Sequence, residues 1–199
     1  MSRLLNPAPR WTTKRRIVLW HGCTAGDEAN IRLGVDPTRG RPDTDFGRGF
    51  YTTTIKRQAR QWAWARHYEL AATGKSGSIH PVILRFHVDR HDLANLKCIS
   101  FGVGDYGNQD FWSLVQHCRQ STPLSDPAPH TVNDHMGPVS DGNNDWYDIA
   151  CGPVAAFWRQ RSAMHGADQI SFHTAKAAAL LTTLIYTRDP NKYRMEDVT

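Results

Sequence analysis

This chain of 199 residues predicts a single α+β domain, and three observations carry that reading. Continuous apolar, β-branched runs stand well apart, as in RIVLWHGC and PVILRFHVD. One long segment, IKRQARQWAWARHYELAATG, repeats its apolar residues at helical spacing. The stretches between are rich in Gly, Pro, Asp and Asn, with no internal repeat and no interior linker. A chain of this length is long enough to bury a sizeable core.

Each element follows in order. Residues 1–14 hold two prolines and no periodicity, so they read as a flexible N-terminal arm, with 15–199 as one domain. RRIVLWHGC is a strand because Ile17, Val18, Leu19 and Trp20 form an unbroken apolar run. GDEANIRLGVDPTRGRPDTD reads as a loop with one helical turn. FYTTT is aromatic and β-branched, hence a short strand. The next segment is a helix: Ile55, Ala59, Trp62, Ala63, Arg66 and Leu70 share a face, a Thr stands at the cap and Gly74 closes it. Trp62 fits the apolar face and is expected in the core. Trp64, with Arg57, Arg60 and Arg66, either covers a ligand or belongs to a solvated face. PVILRFHVD is a second strand, LANLKCISF reads strand-like, and a helix runs from about Gln109 to Arg119. Residues 121–145 carry few large apolar side chains and read as a long surface loop. YDIACGPVA is strand plus turn and QISFHT a short strand. AKAAALLTTLIYT begins as helix and turns to strand near Ile185.

Composition bounds the function. The chain is 40% hydrophobic and 22% charged, with a formal charge of +5, which suits a soluble protein and makes polyanions plausible partners. No apolar run approaches bilayer-spanning length, so no membrane partner is expected. MSRLLNPAPRW has no apolar h-region, so the chain reads as cytoplasmic, or as an effector secreted without a classical signal peptide. Cys23, Cys98, Cys118 and Cys151 are far apart and read as free thiols of a reducing compartment. His87 and His91 flank a strand end with no third ligand at sensible spacing, so no metal is expected. GVGDYG lacks the spacing and context of a nucleotide-binding glycine loop.

Three segments place polar or aromatic groups on or beside apolar strands: LWHGC, FGRGFYTTT and ADQISFHT. Each has an ordinary explanation. His21 can be a satisfied core histidine, Tyr51 a core aromatic and Gln169 a polar edge residue. Their order, however, resembles the His-Tyr-Glu branch of the ADP-ribosyltransferase superfamily, which contains diphtheria toxin and the poly(ADP-ribose) polymerases. FGRGFYTT is similar to the FGKGIYF-like segment of those enzymes. The set WHGC, DFGRGFYTTTIKRQARQWAWA, YDIACGPVA and DQISFHTAKAA resembles still more closely an uncharacterised bacterial family read as ADP-ribosyltransferase-like. The resemblance runs from roughly His21 to Leu181.

The resemblance implies an ADP-ribosyltransferase-like split two-sheet β-sandwich with flanking helices, its two antiparallel sheets packed around a cleft that binds NAD in a bent form. It implies NAD as substrate, with ADP-ribose transferred to a macromolecular acceptor, nucleic acid or protein, by a bacterial toxin or effector that has an antitoxin or immunity partner. Nicotinamide leaves as a neutral base, so such a site must hold the ribose, fix the ring and stabilise an oxocarbenium-like centre. By the resemblance, His21, Tyr51 and Gln169 are the catalytic set. His21 donates to a ribose hydroxyl and the backbone of Gly22 pairs with the carboxamide. Tyr51 stacks on the nicotinamide. Gly47 and Gly49 let the turn pass close to the ligand. Arg48 either meets phosphate or stays a solvated turn arginine.

Gln169 stands where the branch places a Glu. An amide bonds a hydroxyl but brings no negative charge. Asp168 is adjacent, yet alternation points it to the other face. Ser171 and His173 share the Gln169 face and are expected to bind ribose and acceptor or to line a pocket. Two other functions stay open: an NAD- or ADP-ribose-binding module, and an NAD glycohydrolase with water as acceptor.

Overall fold

In the computed structural model, residues 16–102, 109–120, 147–181 and 183–187 are described. The arm at 1–14, the loop at 121–145 and the GVGDYG glycines beyond Gly102 lie outside them. Among the described residues the architecture is mixed α+β, with two sheets and five α-helices. Strand β1 (Arg16–Thr24) pairs antiparallel with β3 (Pro81–Asp89), and β3 with β7 (Thr183–Thr187). The second sheet runs β2 (Phe50–Thr52), β6 (Ser162–Phe172), β5 (Ile149–Phe157), β4 (Cys98–Ser100). Its β4–β5 pair is parallel, so the second sheet is not the purely antiparallel one expected. LANLKCISF contributes only this short strand, after a single turn of helix α3 (Arg90–Leu93).

The two sheets pack face to face. Ile17, Leu19 and Cys23 of β1 and Leu84, Phe86 and Val88 of β3 meet Phe50, Ile149 and Phe172 of the second sheet in one buried core. Period-two alternation supplies this row, as expected for half-buried strands. Helix α5 (Ala175–Ala178) adds Ala177 to it. The outer face of the second sheet carries another core, where Phe46, Ile99, Phe101 and Ala150 pack under Phe111, Leu114 and Val115 of helix α4 (Gln109–Gln120). The sheets are also stitched edge to edge. Trp20 and Thr53 exchange both backbone hydrogen bonds at 2.8 Å, so β1 crosses from one sheet to the end of β2.

The segment read as loop with one turn holds a nine-residue helix α1 (Ala25–Leu33). Its signal is in the sequence: Thr24 and Asp27 form a capping box, each side chain meeting the other's backbone N–H. Helix α2 (Lys56–Ala72) is where the period predicts it, and Gly74 closes it with φ of +73°. Its N-cap is Ile55, which has no side-chain cap; the threonines act one and two residues earlier, Thr53 Oγ1 accepting from the Ile55 N–H at 3.0 Å.

Trp62 does not join the core; it is 57% exposed. The physical reason is Gly22. A Cβ there would lie 1.9 Å from the Ala59 carbonyl oxygen and 2.8 Å from the Ala63 nitrogen. The backbone of α2 therefore rests on β1 through Ala59 and Ala63, both buried, and at that separation an indole is displaced to the flank. No helix among the described residues is long and apolar enough to cross a membrane.

Candidate functional site

Residues 44–49 lie over the outer face of the second sheet, and four of the predicted site residues, Tyr51, Gln169, Ser171 and His173, meet beneath them. Tyr51 and Ser171 are direct partners across β2 and β6, so their side chains share that face with Gln169 and His173. Phe46 is completely buried, its ring 6.5 Å from that of Tyr51. Gly47 turns the chain with φ of +75°, a conformation that favours glycine. At Gly49 a Cβ would meet His173 Nδ1 at 2.9 Å and the Phe172 carbonyl at 3.0 Å. The glycines thus let the turn approach β6 itself.

Tyr51 is anchored by its hydroxyl. The O–H donates to the Gly47 carbonyl at 2.7 Å and accepts from the Phe46 N–H at 2.9 Å and from Thr44 Oγ1 at 2.8 Å. Burial pushes this phenol well above its usual pKa of 10.0. Since the oxygen is fully engaged and the residue is still partly exposed, the surface Tyr51 offers is ring carbon.

Gln169 is 7% exposed and its amide nitrogen is doubly used. It donates to Asp45 Oδ2 at 2.6 Å and to the Pro153 carbonyl at 2.8 Å. Pro153 is tolerated because β4 pairs with β5 only as far as Cys151, which leaves β5 without that neighbour here. Asp45 is 2% exposed and also accepts from Arg119 Nε at 2.6 Å and from the Ala155 N–H at 2.8 Å. Asp168 points the other way, as alternation predicts. It accepts from the hydroxyls of Thr53 and Thr54 and from the Thr54 N–H at 2.9 Å. The Gln58 carboxamide extends the ladder beyond Thr52, donating to the Asp168 carbonyl at 2.6 Å and accepting from its N–H at 3.1 Å.

Ser171 and His173 are hydrogen-bonded to each other. Ser171 has no exposed surface, and its hydroxyl also lies 3.1 Å from the Ala150 carbonyl. His173 Nδ1–H donates to the Arg48 carbonyl at 2.8 Å, so neutral Nε2 accepts from the Ser171 hydroxyl at 2.8 Å. Burial pulls His173 down to about 4, against the bond to Arg48 and the charge of Asp148. The pair buttresses the Arg48–Gly49 turn. The Arg48 guanidinium donates to the Thr38 carbonyl at 2.9 Å, on the exposed side of that turn.

His21 stands apart. It belongs to the inward row of β1, between Leu19 and Cys23, and stacks on Phe50 with ring centroids 4.3 Å apart. Phe50 and Tyr51 are consecutive in a strand, so the imidazole and the phenol leave β2 on opposite faces. What joins them is backbone: His21 Nδ1–H donates to the Tyr51 carbonyl at 2.6 Å. That bond fixes the tautomer. Burial holds the ring below its usual 6.5, against the Tyr51 bond and Asp27, so the ring is neutral at pH 7. Neutral Nε2 is then an acceptor, where donation to a ribose hydroxyl was expected. The tight contact of Gly22 is with α2, as shown above, and this is the approach that requires a glycine there.

Sequence reasoning missed Asp45, Arg119 and Gln58. Asp45 and Gln58 carry a legible signal, as a carboxylate heading a Phe-Gly-Arg-Gly turn and as a polar residue amid the apolar face of α2. Arg119 carries none, since its partner lies 74 residues away.

The fold and site together define a two-sheet α+β protein. A strand-crossing histidine lies on one face of β2, and an aromatic and amide cluster lies under a glycine turn on the other. The chain belongs to the family described as "Protein of unknown function (DUF3990)", whose model matches residues 17–183, from β1 to the first residue of β7. No curated protein and no solved structure matches it.

Proposed function

We propose that this protein is an NAD-dependent ADP-ribosyltransferase of the His-Tyr-Glu type, modifying a macromolecular acceptor. The observation that carries the reading is the state of Gln169. Both hydrogens of its amide are donated to Asp45 and Pro153, so the end of the carboxamide that these partners leave over is Oε1, an acceptor. An acceptor for the ribose 2′-hydroxyl is what the resembled enzymes supply with Glu at this position. Tyr51, on the same face, offers its ring for stacking, whereas His21 lies on the other face of β2 and reaches this one only through its bond to the Tyr51 carbonyl. In the reaction, the N-glycosidic bond breaks, nicotinamide departs with the bonding pair, and the acceptor's nucleophile takes the ribose carbon. The protein's part is orientation and stabilisation of the developing positive charge. The split two-sheet arrangement, joined at Trp20 and Thr53, is compatible with the ADP-ribosyltransferase fold.

Incubation with NAD labelled in the adenylate half tests this. Released nicotinamide with labelled macromolecule is the expected outcome. Nicotinamide without labelled acceptor identifies a glycohydrolase. A second reading, an NAD- or ADP-ribose-binding module, is favoured by the amide at Gln169, which brings no negative charge to stabilise an oxocarbenium-like centre. NAD binding with no nicotinamide released selects that reading and rejects transfer.

A further inference from the structure

We propose that Asp45 is a positioning residue for Gln169, holding the carboxamide so that its oxygen, and not its NH2 group, is the end presented away from the Asp45 cluster. The inference rests on the transferase reading. Asp45 is buried at the head of the glycine turn, and its carboxylate is held by Arg119 Nε at 2.6 Å and the Ala155 N–H at 2.8 Å. Its Oδ2 faces Gln169 Nε2 at 2.6 Å, and the Pro153 carbonyl faces the same nitrogen at 2.8 Å. A flipped amide would set its oxygen against both of these acceptors, so the partners determine one orientation. A buried carboxylate on the donor side also polarises the amide, placing more negative charge on Oε1. Asp45 and Gln169 together thus present the acceptor that a single Glu presents in the resembled enzymes. Glu alone is not equivalent here. Its second oxygen would take the place of Nε2, pressed against Asp45 Oδ2 and the Pro153 carbonyl, and two carboxylates in contact cannot both stay ionised.

The test is a side-chain exchange in the full chain. Asp45→Asn and Gln169→Glu are made singly and together; the double variant conserves the charge of the Arg119 cluster and restores a donor facing an acceptor. Each single variant is expected to lower kcat for nicotinamide release by about tenfold or more, the scale of a hydrogen bond to a charged group. KM for NAD is expected to stay within roughly threefold, and the double variant to recover part of kcat, because the introduced amide relieves the contact between positions 45 and 169 while the Pro153 carbonyl still faces a carboxylate oxygen. A merely structural Asp45 would not be rescued by a change at position 169. Wild-type kcat in a folded Asp45→Asn overturns the inference and leaves the transferase reading standing. If the wild-type chain releases no nicotinamide, that reading fails, and nitrogen-15 NMR of the Gln169 side-chain amide decides the positioning role. Slowly exchanging Nε2 protons that become fast in Asp45→Asn support it; protons indifferent to that substitution overturn it.

Discussion

Acid should destabilise this protein through His173. The imidazole is neutral in the fold, donating Nδ1–H to the Arg48 carbonyl and accepting from Ser171, and burial holds its pKa near 4 against 6.5 when free. The unfolded chain therefore binds the proton more tightly, and stability rises with pH between these values. The contribution is intact above pH 6.5 and is lost progressively as pH falls toward about 4. Two-state linkage over that difference, discounted for the partial exposure of the ring, gives about 2 kcal/mol lost between pH 7 and pH 4.5. His173→Gln keeps a donor and an acceptor but does not titrate. Urea unfolding of both proteins at the two pH values should show the wild-type midpoint falling by about 1 M more than the variant's, with an m-value near 2 kcal/mol/M. Parallel falls would refute the claim that this imidazole is held neutral by its surroundings. His21 acts in the same direction, its pKa also lowered by burial, and is common to both proteins.

Three further outcomes are expected. Gly22→Ala drives a Cβ into the backbone of α2, 1.9 Å from the Ala59 oxygen, and should cost about 3 kcal/mol or more, roughly 10 °C in Tm. Gly102→Ala, with nothing within 4 Å, should leave Tm unchanged, and equal effects would refute the packing argument. Of the four free thiols, exposed Cys98 alone should react with iodoacetamide in the native state near pH 8; Cys23, Cys118 and Cys151 are buried, with the Cys151 thiol pushed up to about 11. Alkylation sites read by mass spectrometry before and after unfolding check this. Tyr51→Phe leaves the Phe46 N–H without its phenol partner and should cost about 1–3 kcal/mol of stability. By calorimetry it should keep the NAD affinity of the wild type, whereas Tyr51→Ala should weaken it by about 1–2 kcal/mol. A loss in Tyr51→Phe as large as in Tyr51→Ala would show that the hydroxyl, and not the ring, meets the ligand.

Local pattern settled much of the fold. The inward rows of β1 and β3 follow from alternation, α2 from its 3.6-residue period, and the glycine at its end from the left-handed conformation required there. Even α1, read as loop, was legible in the Thr24–Asp27 capping box. These features depend on neighbours within a turn or a strand. Their physical chemistry is therefore written in adjacent residues.

The order of the histidine, glycine–tyrosine and glutamine segments was likewise fixed along the chain, but not how they meet. Tertiary structure put His21 on the opposite face of β2 from Tyr51, because the sheets join through the Trp20–Thr53 bridge rather than by a continuous ladder. It turned Trp62 outward, because α2 approaches Gly22 too closely for an indole. It also made Asp45 the partner of Gln169 across 124 residues of chain. A contact of that separation depends on packing between distant elements, and no local periodicity or propensity records it.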